Sequence, residues 1–123
     1  MPGPTVLLHL AERARWETAR PLGAYTPERY AADGFVHLSA PHQAARTANL
    51  LYRGRTDLVV LAIDPAALGD ALVWEPGSHG EAEDYPHLYA PLPVAAVVAV
   101  ADLVPGPDGT FATIPFAADP PAR

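Results

Sequence analysis

The apolar run Leu58–Ile63 constrains the fold of this chain more than any other segment. Its six residues are all apolar, two of them are valine, and Asp64-Pro65 follows at once. A short, continuous apolar run with β-branched residues is typical of a strand that is buried on both faces. We therefore expect a central strand with other elements packed above and below it.

Further short strands are predicted on either side of this run. Short apolar segments ended by glycine or proline favour strands rather than helices there. The segment Pro105–Gly109 is typical of a hairpin turn that leads into the last strand. The other predicted strands are residues 5–10, 35–39, 71–75, 94–104 and 110–116, with order resuming at residues 85–89.

Two helices are predicted, both in the N-terminal half of the chain. Residues 11–20 suit a helix with Trp16 as its core anchor, and the following Pro21 favours an end there. Residues 41–53 carry a proline in the first turn and are followed by Gly54, which are typical helix boundaries.

About six short strands and two helices indicate an α+β fold. The length of 123 residues is that of one typical domain. We expect residues 1–116 to form that domain and residues 117–123 to form a flexible tail. Residues 21–33, which include Gly23 and Pro27, are predicted to form a loop. The polar, acidic segment Pro76–Asp84 is predicted to be a mobile loop.

The composition excludes several classes of function. The chain has no cysteine, which excludes disulfides and thiolate metal sites. The formal net charge of −6 argues against bulk electrostatic binding to nucleic acid. The longest apolar run, residues 94–101, is far shorter than the roughly 20 residues of a membrane helix. The first residues do not resemble a signal peptide, and we expect a cytoplasmic protein without membrane contacts.

Three histidines, His9, His37 and His87, each lie in an apolar segment that is predicted to be a strand. One such histidine on its own is readily explained as a core residue whose ring nitrogens are satisfied by neighbours. Three are costly to bury separately, because each ring carries polar atoms into an apolar interior. We therefore expect the three imidazoles to line one hydrated pocket.

Two of these histidines have polar neighbours on the same strand face. Ser39 follows His37 by two residues, and Tyr89 follows His87 by two. Both are candidates to contact a ligand in the pocket. Helix N-capping explains Ser39 equally well, and the two roles are compatible.

Four more polar residues are candidates with an equally simple structural alternative. Asn49, Tyr52 and Arg53 fall on one face of the second helix and suit either ligand contacts or a solvated surface. Glu75 ends a strand just before the polar loop, where both catalytic carboxylates and solvated strand ends occur.

Other chemistries find weaker support in the sequence. Three histidines match the ligand count of a catalytic zinc site, but the H-x-H and H-x-x-x-H spacings are missing. A nucleophilic pair of Ser39 and His37 lacks the G-x-S-x-G elbow, and no glycine-rich phosphate loop occurs. We therefore assign no metal ligands.

These segments together resemble a bacterial family, the domain of unknown function 952. Two departures are small: Leu8 stands where the family usually has an aromatic residue, and Ala90 where it usually has glycine. The matching stretches are LLHL (residues 7–10), GFVHLS (34–39), TAN (47–49), LYRG (51–54), DLVVLAID (57–64), LVWE (72–75) and YPHLYAPL (85–92).

The resemblance implies a fold similar to that of the NAD-using ADP-ribosyltransferases. That fold has two small, curved sheets, antiparallel or mixed, around a cleft, here with the two helices in the N-terminal half. The VHLS stretch also resembles a motif of RNA 2′-phosphotransferases, which use the same fold and NAD. By this resemblance, His9 contacts the nicotinamide ribose, His37 and Ser39 contact the dinucleotide, and Glu75 is the catalytic carboxylate.

The function therefore has three candidate descriptions. The first is a small-molecule cleft, with NAD or a related nucleotide as candidate ligand and possible transferase activity. The second is a non-catalytic binding module, and the third a three-histidine metal-dependent hydrolase. The candidate catalytic residues are His37, Glu75 and His87, and the candidate binding residues are His9, Ser39, Asn49, Tyr52, Arg53 and Tyr89. The oligomeric state stays open.

Overall fold

A computed structural model describes residues 4–117 of the chain. Helices and strands alternate irregularly along this range, with short 3₁₀ turns between them. The helices are α1 (Arg13–Ala19), α2 (Tyr30–Asp33) and α3 (Ala44–Leu51); the strands are β1 (Leu7–Glu12), β2 (Ala24–Tyr25), β3 (Val36–His37), β4 (Leu58–Ile63), β5 (Leu72–Pro76), β6 (Asp84–Leu88), β7 (Leu92–Pro93) and β8 (Val97–Leu103).

The first sheet has the order β1-β4-β8, and both pairings are antiparallel. The predicted central strand is confirmed as β4, in which every residue is buried. The first strand continues to Glu12, two residues beyond its predicted end, because Ala11 and Glu12 still pair with Val59 and Leu58. The helix α1 therefore begins at Arg13 instead of residue 11.

The hydrophobic core lies on both faces of this sheet. Val59, Leu61 and Ile63 point into one cluster, which contains the predicted anchor Trp16 of α1. The alternate residues of β4 point into a second cluster, which contains Ala44 and Ala48 of α3. The alternation of a strand thus explains why all positions of β4 are apolar.

The second sheet has the order β3-β6-β5 and is also antiparallel. Its register places His37 opposite His87, and Glu75 opposite Tyr85. The main-chain N–H of Leu8 donates to the carbonyl of Ser39, and the N–H of Ser39 donates to the carbonyl of Leu8, both at 2.8 Å. These two hydrogen bonds join the first sheet to the segment just after β3.

A third, two-stranded sheet forms where the sequence predicts a loop. Strand β2 pairs with β7, so that Tyr25 lies opposite Leu92. The fold is α+β as predicted, with three antiparallel sheets and few helices in the described range instead of two sheets. Within the described residues, no helix has the length and apolar character needed to cross a membrane.

The predicted last strand is wrong, although the turn before it forms. The turn is closed by a hydrogen bond from Gly106 N–H to the carbonyl of Thr110. Residues 110–116, all within the described range, form no strand, because the side chain of Asn49 binds the main chain of Phe111 instead. Ala117 packs against the second core cluster, and residues 118–123 of the predicted tail lie outside the described residues.

The second predicted helix is shorter than expected. It starts with a 3₁₀ turn at Pro41–Gln43, and α3 ends at Leu51, two residues early. The predicted N-cap Ser39 is wrong, since Ala40 occupies the N-cap position and the hydroxyl of Ser39 lies 3.4 Å from that of Thr47. The side chain of Gln43 accepts the N–H of Ala40 instead, at 2.9 Å.

Candidate functional site

A cavity of about 750 Å³ lies between the two three-stranded sheets. His9 of β1, His37 of β3 and His87 of β6 all line it. The sequence predicts this arrangement, because each histidine lies on a strand with its neighbours alternating between faces. A role of these residues in binding or catalysis stays a prediction.

His9 is buried and has both ring nitrogens engaged. Nδ1 donates to the main-chain carbonyl of His37 at 2.7 Å, which leaves Nε2 to accept from the hydroxyl of Tyr25 at 3.1 Å. Burial lowers the pKa of His9 to about 4, so the ring is neutral at pH 7. His9 thus connects the first sheet to β3 and to β2.

His87 forms a close pair with Glu75. Nδ1 of His87 donates to Oε2 of Glu75 at 2.6 Å, and the hydroxyl of Tyr89 donates to the same oxygen. The hydrogen bond from Tyr89, followed by that from His87, lowers the pKa of Glu75. The carboxylate therefore stays ionised and fixes the orientation of the imidazole.

The second ring nitrogen of His87 faces the cavity. Among residues 4–117, Nε2 has no hydrogen-bond partner, although His87 is only 3% exposed. No fully buried polar side-chain atom in the same range lacks a partner. Nε2 consequently retains contact with the open space of the cavity, where it can accept or donate a proton.

A second imidazole–carboxylate pair lies next to the first. Nε2 of His37 is 2.9 Å from Oδ2 of Asp33, and two hydrogen bonds from Arg29 hold Asp33 in place. The bond from Arg29 is the main reason that the pKa of Asp33 is lowered. Burial lowers the pKa of His37, while Asp33 opposes that shift. The loop turns sharply between them at Gly34, whose φ is +83°.

An aromatic ring packs the two pairs together. The ring of Phe35 stacks on His87 with a centroid distance of 4.2 Å and lies 4.5 Å from His37 and 5.1 Å from Tyr89. The two imidazole centroids are 5.4 Å apart. The sequence places Phe35 on the strand face of His37 but does not suggest this packing role.

The remaining sequence candidates separate into three groups. Ser39 and Tyr52 line the cavity. Glu75 binds the ring of His87, and Tyr89 binds Glu75, so both are connected only indirectly to the cavity. Asn49 and Arg53 do not line it.

The amide of Asn49 has a structural role. It donates to the carbonyls of Ala45 and Phe111 and accepts the N–H of Phe111 at 2.7 Å. The common helix face predicted for Asn49, Tyr52 and Arg53 is also wrong, because α3 ends at Leu51 before two of these residues.

Sequence reasoning missed several residues of the cavity. Three of them, Tyr25, Arg29 and Asp33, fall in residues 21–33, which the sequence identifies only as a loop. Arg15 lies in a predicted helix, where an arginine gives no sign of a role in a cavity. One signal was available: Asp33 precedes His37 by four residues, but this spacing brings the two side chains together only because α2 ends at Asp33 and the chain turns at Gly34.

The three-histidine metal site does not form. Within residues 4–117, no group of three histidine, aspartate or glutamate side chains is placed to hold a metal ion. The physical reason is that both ring nitrogens of His9 are already hydrogen-bonded. The three histidines therefore do not form the ligand set that a three-histidine hydrolase requires.

Comparison with known proteins identifies a family and solved structures that are similar to this chain. The family model for a protein of unknown function (DUF952) matches residues 10–100. The crystal structure of protein CC0527 from Caulobacter crescentus is 40% identical, with 86% of this chain and 92% of that chain covered and a TM-score of 0.79. The solution NMR structure of CC0527 is 39% identical in sequence to this chain. The match covers 88% of this chain and 92% of that chain, with a TM-score of 0.76. No curated protein matches the chain.

Proposed function

The chain belongs to the DUF952 family of proteins of unknown function, and from its cleft we propose that it is an enzyme acting on a nucleotide-class small molecule, with NAD as candidate. The single observation that carries the proposal is the Glu75–His87 pair, joined at 2.6 Å, with Nε2 of His87 on the cavity side. His87 is the proposed general acid or base.

The chemistry of this pair supports the proposal. A carboxylate that accepts the Nδ1 proton fixes one tautomer of the ring and stabilises the imidazolium that forms when Nε2 takes a proton. The hydroxyl of Tyr89 holds the same carboxylate oxygen and so restricts its movement. Glu75 then acts as a positioning residue for His87.

The second pair supplies the complementary proton-transfer group. His37 is held by Asp33, and its Nδ1 has no partner among the described residues. The ring centroids of His37 and His87 are 5.4 Å apart, and each ring is held by a different carboxylate. This arrangement suits a reaction in which one group removes a proton while another donates one.

The cavity also suits a nucleotide in size and lining. Its volume of about 750 Å³ falls within the roughly 300–1,000 Å³ of small-molecule pockets. Ser39 and Tyr52 are among the residues that line it, and hydroxyl groups of this kind can bind ribose hydroxyls. A relation to the ADP-ribosyltransferase-like fold is part of this proposal, supported by a cavity between two small three-stranded sheets.

A non-catalytic binding module is the second candidate, and the position of Glu75 favours it. Glu75 does not line the cavity, and its Oε2 already accepts two hydrogen bonds. Cleavage of a glycosidic bond such as that of NAD needs an ionised carboxylate close to the reacting carbon. If no other carboxylate takes that place, the cleft binds its ligand without turnover.

Ligand binding and turnover by the intact chain separate these possibilities. NAD and ADP-ribose are expected to raise the thermal unfolding midpoint, because binding to the native state alone stabilises it. No rise with either compound at millimolar concentration would overturn the nucleotide proposal.

For catalysis, release of nicotinamide from NAD is measured with His87→Gln and with the control His42→Gln, an exposed histidine outside the cavity. Loss of turnover in His87→Gln alone supports the enzyme. Binding of NAD without turnover in the wild-type protein supports the binding module.

A further inference from the structure

We propose that Arg15 binds a phosphoryl group of the ligand, an inference that rests on the proposed function and adds an anion subsite to the cleft. Three arginines line the cavity: Arg15, Arg29 and Arg55. They differ in how far their charge is already neutralised by the protein.

Arg29 and Arg55 are bound to carboxylates. Arg29 donates to both oxygens of Asp33, at 3.2 and 3.3 Å. Arg55 donates to both oxygens of Asp57, at 2.7 and 2.6 Å, and to Glu12 at 3.0 Å. These guanidinium groups have little capacity left for an anionic ligand.

Arg15 forms no ion pair with any carboxylate in residues 4–117. Its Nε donates to the main-chain carbonyl of Thr26 at 2.6 Å, which fixes the plane of the guanidinium. In the same range neither Nη group has a hydrogen-bond partner, although Glu28 lines the same cavity. Arg15 is exposed, so a ligand can reach these two groups.

This arrangement matches the chemistry of phosphoryl recognition. A guanidinium presents parallel N–H donors that bind two oxygens of a phosphate at once. Holding Nε on a carbonyl reduces the conformational freedom that is lost when the anion binds. A nucleotide with its sugar near the histidines therefore has a binding group for its phosphates in the same cavity.

Calorimetry with Arg15→Gln tests this inference against a matched control. Arg53 is exposed, has no carboxylate partner among the described residues and does not line the cavity, so Arg53→Gln removes an equal charge elsewhere. Glutamine at position 15 can still donate to Thr26, and the exposed site favours a folded variant. The probes are ADP-ribose, inorganic pyrophosphate and adenosine.

Arg15→Gln is expected to lower the affinity for ADP-ribose and for pyrophosphate about tenfold or more, because a charge-assisted hydrogen bond is lost. Adenosine binding and all binding by Arg53→Gln are expected to stay unchanged. Two results would overturn the inference. One is an affinity of Arg15→Gln for ADP-ribose within twofold of the wild-type value, and the other is an equal loss of affinity for adenosine and for ADP-ribose.

The same titrations distinguish failure of the two proposals. If ADP-ribose binds equally well without Arg15, the anion subsite is wrong and the proposed function stands. If the wild-type protein binds pyrophosphate through Arg15 but neither ADP-ribose nor adenosine, the subsite stands and the proposed nucleotide function is wrong. If the wild-type protein binds none of the three, both are wrong.

Discussion

His9 and His37 contact each other through the main chain, because Nδ1 of His9 donates to the carbonyl oxygen of His37 at 2.7 Å. The bond joins the first sheet to β3, from which His37 points to the cavity. The position of one candidate catalytic ring therefore depends on a buried ring that has no free nitrogen of its own.

The hydroxyl of Tyr25 is expected to stabilise the fold through His9. Tyr25→Phe removes the donor to Nε2 and leaves that buried nitrogen unpaired, which costs about 1–3 kcal/mol. The free energy of unfolding in urea measures this loss. The control Tyr30→Phe, at a partly buried tyrosine whose hydroxyl has no partner among residues 4–117, is expected to change stability little. Equal effects of both changes would contradict the role of Tyr25.

Stability is expected to fall as the pH decreases from about 6.5 to about 4, because of His9. Its pKa is lowered from 6.5 to about 4 in the folded protein, so the unfolded chain binds the proton first in this range. A difference of about 2.5 pH units corresponds to about 3 kcal/mol in the free energy of unfolding. His37, whose pKa is also lowered, adds to the same slope.

Unfolding in urea between pH 7 and pH 5 measures this slope above the range where most carboxylates titrate. His9→Gln is expected to be less stable at pH 7 but to show a clearly flatter dependence. A variant with the slope of the wild-type protein would show that His9 does not cause it.

Glu75→Gln is expected to reduce turnover about 100-fold while ligand binding stays close to wild type. The amide oxygen can still accept the Nδ1 proton of His87, but it lacks the charge that stabilises a protonated ring. Turnover should therefore fall while the dissociation constant for ADP-ribose stays within about twofold of the wild-type value. Glu83→Gln is the matched control, since Glu83 binds the exposed His42 at 2.9 Å outside the cavity. Wild-type turnover in Glu75→Gln, or a loss of turnover that is matched by an equal loss of binding, would contradict the positioning role.

Asn49→Ala is expected to destabilise the protein by about 2 kcal/mol without affecting ligand binding. The change leaves the N–H and the carbonyl of Phe111 without their partners. Chemical unfolding and calorimetry with ADP-ribose measure the two effects. Arg53→Ala, at an exposed neighbour, should alter neither. Weaker ligand binding by a folded Asn49→Ala protein would restore Asn49 to the site.

The sequence predicts well the parts of the fold that are determined by the residue pattern of a single segment. The strand β4 is recognisable because both of its faces are buried, so that all of its residues are apolar. The three histidines lie on strands as predicted because an apolar segment with one polar residue has few other interpretations.

The errors occur where distant partners decide the structure. The two residues of β2 lie among turn-forming residues, and only pairing with Leu92 and Pro93 makes them a strand. The segment 110–116 follows a hairpin turn signal that favours a strand, but its main chain is bound by Asn49, 62 residues away. Asp33 belongs to the site only because α2 and the turn at Gly34 bring it to His37.

The pair of main-chain hydrogen bonds between Leu8 and Ser39 makes the cleft observable by hydrogen exchange. Both amide protons are enclosed in the only strand-to-strand bridge that the described residues form outside the named strands. Their exchange with deuterium requires these two hydrogen bonds between the first sheet and the segment after β3 to break. Amides inside β4 exchange only when the sheet itself opens. The ratio of intrinsic to observed exchange rate at Leu8 and Ser39 gives the free energy of this local opening, and a ligand that binds across the cleft should slow exchange at these two amides selectively.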